Sequence, residues 1–434
     1  MPIPLLQSIW RELLPPPPLP LLKLRGKVVR NRMKFRNPGR TTAAVVVLIA
    51  QTLIMTACSS TTIDFLYVAT NKLSPGQINA YEVDHVSGAL HQINTSPFPA
   101  GKNPVALVAS PNGRSLYVAN QDDNTILQYA IGTDGKLYPH STFQSKGGSA
   151  VPVAIAVDPL LNNLYVAYTY QPGYSALNPG PGDMVAVNLN SDGSFGSQVL
   201  NVNGKDFWTV GYGPTAIAIQ QVSATDINVY VTSNSTSGGV PVSSVYEETL
   251  TSAGVISGGS YNFASLTGMY LSGVAAEPSG KYFYVTDQGL NQIYAFKLSA
   301  TYAPQRIVTS APIVTGNGPS SITVAPDPAG GSFYLLVADY GDGRVISYSV
   351  PLATGIPPLS ATASQATSAS PIAIAVEPEQ GRFVYTANFT DNTVSGLLLE
   401  TGSGALIATQ NTPYKSNGQP TAIAIVPHGA NPVI

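Results

Sequence analysis

Along most of the chain, short runs of β-branched, aromatic and small apolar residues alternate with breaks rich in Gly, Pro, Asn and Asp. This is the pattern of many short strands rather than of helices. One run recurs as Leu66-Tyr67-Val68-Ala69, Leu116-Tyr117-Val118-Ala119-Asn120, Leu164-Tyr165-Val166-Ala167, Val229-Tyr230-Val231-Thr232, Phe283-Tyr284-Val285-Thr286, Leu336-Val337-Ala338-Asp339 and Val384-Tyr385-Thr386-Ala387-Asn388. The seven copies lie about 53 residues apart, a spacing that points to a repeat architecture.

A strand of small residues precedes each later copy: Pro104 to Ser110, Pro152 to Asp158, Pro214 to Gln220, Ser272 to Glu277, Pro319 to Ala325 and Pro371 to Glu377. A third strand follows each copy, as in Thr125 to Ala130 and Gln292 to Leu298, and then a weaker fourth. Asp134-Gly135, Asp192-Gly193 and Ser403-Gly404 join third to fourth, because such hairpins demand residues that tolerate positive φ. Four antiparallel strands per unit make one propeller blade. The first unit lacks its inner strand, and Pro420 to Pro427 supplies a spare one at the other end. The expectation is an all-β, seven-bladed propeller over residues 63–427, its first blade closed by the C-terminal strand, with a tail over 428–434.

Composition supports this reading. Only 10% of the 434 residues are charged, against 40 Gly and 36 Pro, and a single cysteine, Cys58, leaves no internal disulfide. Nine of the 21 Lys and Arg precede Cys58, alongside one acid, Glu12. The remainder carries 12 basic and 22 acidic residues, a balance that argues against nucleic acid as a partner.

Ala43 to Ala57 is a mostly apolar run, short for a bilayer span, preceded by Lys34, Arg36 and Arg40 and ending in Met55-Thr56-Ala57-Cys58. That ending resembles a bacterial lipoprotein signal, which implies an acylated Cys58 after removal of residues 33–57, a short tether over 58–62, and attachment to a membrane of the cell envelope. Residues 1–32, with Pro15 to Pro18 and no sustained period, read as an early start or a disordered extension, Met33 being the natural beginning.

The Tyr-Val-Ala-Asn strands, the Ile-Ala-Val-Asp-Pro inner strands and the Asp-Gly-x-Leu hairpins together resemble the bacterial lactonase propellers, the YVTN-type family named for 6-phosphogluconolactonase. The resemblance implies a seven-bladed ring and, nominally, hydrolysis of a sugar lactone. Such a reaction needs a base and an oxyanion donor. His85, His91, His140 and His428 occupy no axial repeat position with an acidic neighbour. Asp158, Glu277 and Glu377 each precede a proline and fit turns. Asp339, Asp342 and Arg344 join two acids to a scarce cation and form the catalytic candidate. No metal-ligand spacing, phosphate loop or Gly-x-Ser-x-Gly elbow is present, so no cofactor is expected.

The repeat stretches from about 50 to 65 residues over blades 3 and 4. The added length is expected in loops, Tyr168 to Asp183, Asn201 to Gly213 and Ser257 to Tyr270. They carry Tyr168, Tyr170, Tyr174, Phe207, Trp208, Tyr212, Tyr261, Phe263 and Tyr270, and aromatic faces in long loops suit a sugar ring or an apolar ligand. The function expected is that of an envelope-anchored, monomeric ring binding a small molecule or glycan on one face. The alternative is a non-catalytic module holding an envelope protein.

Overall fold

The computed structural model describes residues 62–71, 74–144, 150–160, 162–237, 240–251, 254–263, 269–378 and 380–428. The expected signal, Cys58 and the residue 1–32 extension lie outside them. The described residues form seven antiparallel sheets and contain no α-helix.

Each sheet is one blade, and its strand order from the axis outward is the order of the chain. Blade 2 is typical, with an inner strand Pro104–Ala109, a second strand Ser115–Asn120, a third Thr125–Ile131 and an outer Leu137–Gln144. Blade 1 is the exception. Its inner strand is Pro420–Pro427, which pairs with Thr62–Thr70 from Asp64↔Pro427 to Thr70↔Pro420. The inner strands are neighbours in sequence around the axis, and the C-terminal one lies between those of blades 7 and 2, so the ring closes. Closure removes the free sheet ends that an open stack of blades would expose.

Burial explains the repeat. Second strands are covered on both faces by neighbouring blades, so Ser115–Asn120, Asn163–Tyr168 and Phe383–Asn388 are buried at every residue, and continuous apolar runs are what such strands require. Inner strands crowd around the axis, where small residues fit. Outer strands face solvent and alternate, as in Leu137–Gln144.

Two hydrogen-bond devices join successive blades. The second-strand tyrosine donates to a hairpin carbonyl of the next blade: Tyr67 to Gly135, Tyr117 to Gly193, Tyr284 to Gly355 and Tyr385 to Gly88, at 2.7–2.8 Å. In blade 6, where Leu336 replaces the tyrosine, the third strand's Ser347 donates to Gly404 instead, at 2.7 Å. Near the axis, the hydroxyl after the leading residue of an inner strand bonds to the start of the next. The donors are Thr215 to Leu271, Ser272 to Pro319, Ser320 to Pro371 and Thr421 to Pro104, at 2.6–2.9 Å.

One expected loop is a strand. Ser257 to Phe263 belongs to the outer strand Gly254–Phe263 of blade 4, paired with Val240–Thr251, which in turn pairs with Asp226–Ser237. The second and third strands of this blade are each 12 residues long, against six and seven in blade 2, so the fourth finds a partner along its whole length.

Candidate functional site

The loops from second to third strands and the connectors between blades share one face of the ring, the upper face. The turns between first and second strands and the third-to-fourth hairpins share the lower face. This sorts the sequence candidates. Glu277 is a lower-face turn residue whose carboxylate accepts from the Ser279, Lys281 and Tyr282 amides at 2.6–2.9 Å. Glu377 accepts from Gln380 and Arg382, and Asp158 from Leu160 and Asn163. All three hold their turns by capping backbone amides.

The histidines do not gather. His85 and His91 are exposed around the outer edge of blade 1, and His428 sits edge-on to Phe65, ring centroids 5.1 Å apart. His140 has an acidic neighbour, Asp192, at 3.7 Å. The pair joins the outer strand of blade 2 to the hairpin of blade 3, away from the axis.

Asp339, Asp342 and Arg344 lie at the upper end of blade 6. Asp339 ends the second strand and is 0% exposed. Burial pushes its carboxyl up to about 7, a rise that Asp342 reinforces and that the Gly316 amide, the Thr315 hydroxyl and the Arg344 charge oppose. Asp342 is exposed and accepts the Asn317 amide at 2.7 Å. Arg344 is exposed and its Nη1 reaches Ser364 Oγ at 3.4 Å, toward the outer strand. The structure brings the two acids together and turns the cation elsewhere.

The aromatic candidates divide into two groups. Trp208, at 4% exposed, is a core residue. It lies in a short strand, Trp208–Gly211, that pairs with the third strand of blade 3 and packs with Ala154, Tyr165 and Val229. Tyr168 is buried within its second strand, Phe207 is half-buried beneath the Lys205 ammonium, and Tyr174 covers Gly180 so closely that a side chain there would clash. Tyr170 is half-buried. Tyr212 and Tyr270 stand out at 49% and 48% exposed. They precede the inner strands of blades 4 and 5, and Asn234 ties the two connectors together: its amide N–H donates to Tyr212 O, and its side chain bonds both Leu271 N and Leu271 O. Leu177, Leu200 and Val202 are exposed on the neighbouring loops of blade 3. The side chains of Tyr261 and Phe263 lie outside the described residues.

Three buried acids escape sequence reasoning because burial, not residue type, marks them. Asp183, paired across strands with Tyr168 and with Thr209, is 2% exposed and pushed up to about 8 by burial and by Asp206. Glu247 is pushed up to about 7 by burial and accepts the Thr249 hydroxyl. Glu248 is raised by burial and accepts the Tyr246 hydroxyl. Among the described residues no cluster of three or more His, Cys, Asp or Glu converges as a metal site.

A model of the family described as lactonase, 7-bladed beta-propeller, matches residues 50–170 and 269–430. The chain belongs to this lactonase family. The match omits residues 171–268, the stretch that holds the long loops of blade 3 and the extended blade 4. The fold resembles a putative 6-phosphogluconolactonase from Bacteroides fragilis, at 15% identity and TM-score 0.62, covering 85% of this chain and 99% of that one. It likewise resembles the periplasmic gluconolactonase of Pseudomonas aeruginosa, at 16% identity and TM-score 0.60, covering 84% and 99%. No curated protein matches.

Proposed function

We propose that this lactonase-family propeller is carried at the bacterial cell envelope on an acylated Cys58, on the periplasmic or surface side of the outer membrane. There it binds a small molecule or glycan on the upper face of blades 3 and 4. The observation that carries the reading is a coincidence of place. The segment where the chain departs from the family pattern is the segment that lifts long loops and an extended hairpin around the exposed Tyr212 and Tyr270. Phenol rings beside exposed apolar side chains offer a surface for the apolar faces of a sugar, and backbone groups at the loop edges offer hydrogen bonds. The signal-like segment before Cys58 supports the address, and a gluconolactonase of similar fold is periplasmic.

Lactone hydrolysis is not part of the proposal, because Asp339 is shut away from the surface and Arg344 points toward Ser364 rather than across from it. A panel of lactones and envelope glycans is titrated against the full chain. Tyr212→Ala and Tyr270→Ala each weaken the best ligand about tenfold or more without lowering the melting temperature. A tight ligand that neither change affects removes the site from this face. Mass spectrometry of the membrane fraction from the native host is expected to find an acylated N-terminal Cys58.

A further inference from the structure

The repeat contains its own control for the acids of blade 6. In blade 2 the second strand ends in an amide, Asn120, whose Oδ1 accepts the Gly101 N–H at 3.0 Å, while Asp123 accepts the Lys102 N–H. Blade 7 repeats this, with Asn388 donating to the Thr393 and Ser395 hydroxyls and Asp391 accepting the Ala369 N–H at 2.7 Å. The second acid is therefore a capping residue common to three blades, Asp342 included. The first position differs. Blade 6 places a carboxylate, Asp339, where blades 2 and 7 place an amide.

That carboxylate is fully buried, and neither of its oxygens reaches a hydrogen-bond partner in the described structure. The Gly316 amide and Thr315 hydroxyl lie near it without completing such a bond. A Cβ on Gly316 would meet Asp342 Oδ2 at 2.6 Å and Asp339 Oδ2 at 2.9 Å, so the two oxygens flank one point and lie no more than about 5.5 Å apart. None of the ion pairs among the described residues includes either acid. Leaving a buried carboxylate unpaired beside another carboxylate is costly, and a cation bound between them resolves both problems together.

We propose that Asp339 and Asp342 hold a hard divalent cation of the calcium class between blades 5 and 6, independently of the ligand face over blades 3 and 4. Calcium takes carboxylate oxygens at roughly 2.3–2.6 Å, so one ion spans two oxygens up to about 5 Å apart. The exposed Asp342 gives the ion a route from solvent, and the Thr315 hydroxyl and waters complete its shell.

The full chain is stripped with chelator, and its melting temperature is followed with added calcium and magnesium. Saturating calcium raises it by about 3–5 °C, the shift expected near 100 times Kd. Asp339→Asn, which restores the residue of blades 2 and 7, abolishes the shift and melts no lower than the stripped native chain. Asp342→Asn weakens calcium at least tenfold. Terbium bound at the site emits on tyrosine excitation, since Tyr348 lies close enough to feel the Asp339 charge, and calcium quenches that emission by competition. A native chain indifferent to metal, or a calcium response that survives both substitutions, overturns the proposal. So does a chain whose melting temperature rises on acidification yet ignores metal, because a shared proton then satisfies the pair.

Discussion

Removing the last strand tests the closure of the ring most directly. A chain ending at Ser416 loses Pro420–Pro427, which lies between the inner strands of blades 7 and 2 and supplies the inner ladder of blade 1. Ile423 and Val426 are buried, and burying such side chains contributes about 1.5–3 kcal/mol each. The Thr421 bond to Pro104 at 2.6 Å adds about 1 kcal/mol. Leu66 and Val68, fully buried in the partner strand, become exposed at similar cost. Together these terms reach on the order of 5–15 kcal/mol, the whole stability of an ordinary domain. Urea denaturation followed by tyrosine fluorescence and circular dichroism reads the loss. Hydrogen exchange should show the amides of Thr62–Thr70 among the first to lose protection. Because the truncated chain can fail to fold at all, Ile423→Ala provides a graded version, expected to cost about 2–5 kcal/mol. A synthetic peptide of residues 417–428 should restore protection to the truncated chain. Full-length stability in the truncated protein, or an Ile423→Ala variant indistinguishable from the native one, refutes the closing-strand reasoning.

Stability should respond to pH in the sense opposite to that of salt-bridged carboxylates. Burial holds Asp183 near 8 and Glu247 near 7, above their unfolded values, so folding takes up protons. That contribution is complete below about pH 4 and disappears as pH rises through 7 and 8; the melting temperature therefore falls between pH 6 and 9, and Asp183→Asn flattens the fall. A melting temperature that rises over that interval, or a slope unchanged in the variant, contradicts the account. Trp208→Ala should lower stability by about 3–5 kcal/mol, measured by urea titration, since the indole fills the space between blades 3 and 4.

The sequence made the ring legible because the same physical demand recurs seven times. A strand covered on both faces is largely apolar, and a hairpin at positive φ favours Gly, as Gly135, Gly193 and Gly404 show. The turn carboxylates were legible for the same reason, since Asp158, Glu277 and Glu377 repeat with their prolines. What repeats less was read less well. Ser257 to Phe263 reads as a loop because its Gly and Ser carry no strand pattern, yet the long third strand of blade 4 gives it a ladder to join. Trp208 reads as a surface aromatic because it sits in a long insertion, while pairing with Met184 draws it inside. The difference between Asp339 and Asn120 is a single residue in aligned repeats, and its weight emerges only when burial is known.

The blade-to-blade bonds are not spread evenly. Axial hydroxyls cross the junctions 1–2, 4–5, 5–6 and 6–7, and hairpin carbonyls are engaged at 1–2, 2–3, 4–5, 5–6, 6–7 and 7–1. Among the described residues, neither kind of bond crosses the junction of blades 3 and 4. What the described residues show there is apolar packing, such as that of Trp208 against Val229, and packing has no preferred direction. Within the described residues, then, this bracelet has one junction joined by shape rather than by either repeated bond, and the family pattern lapses beside it.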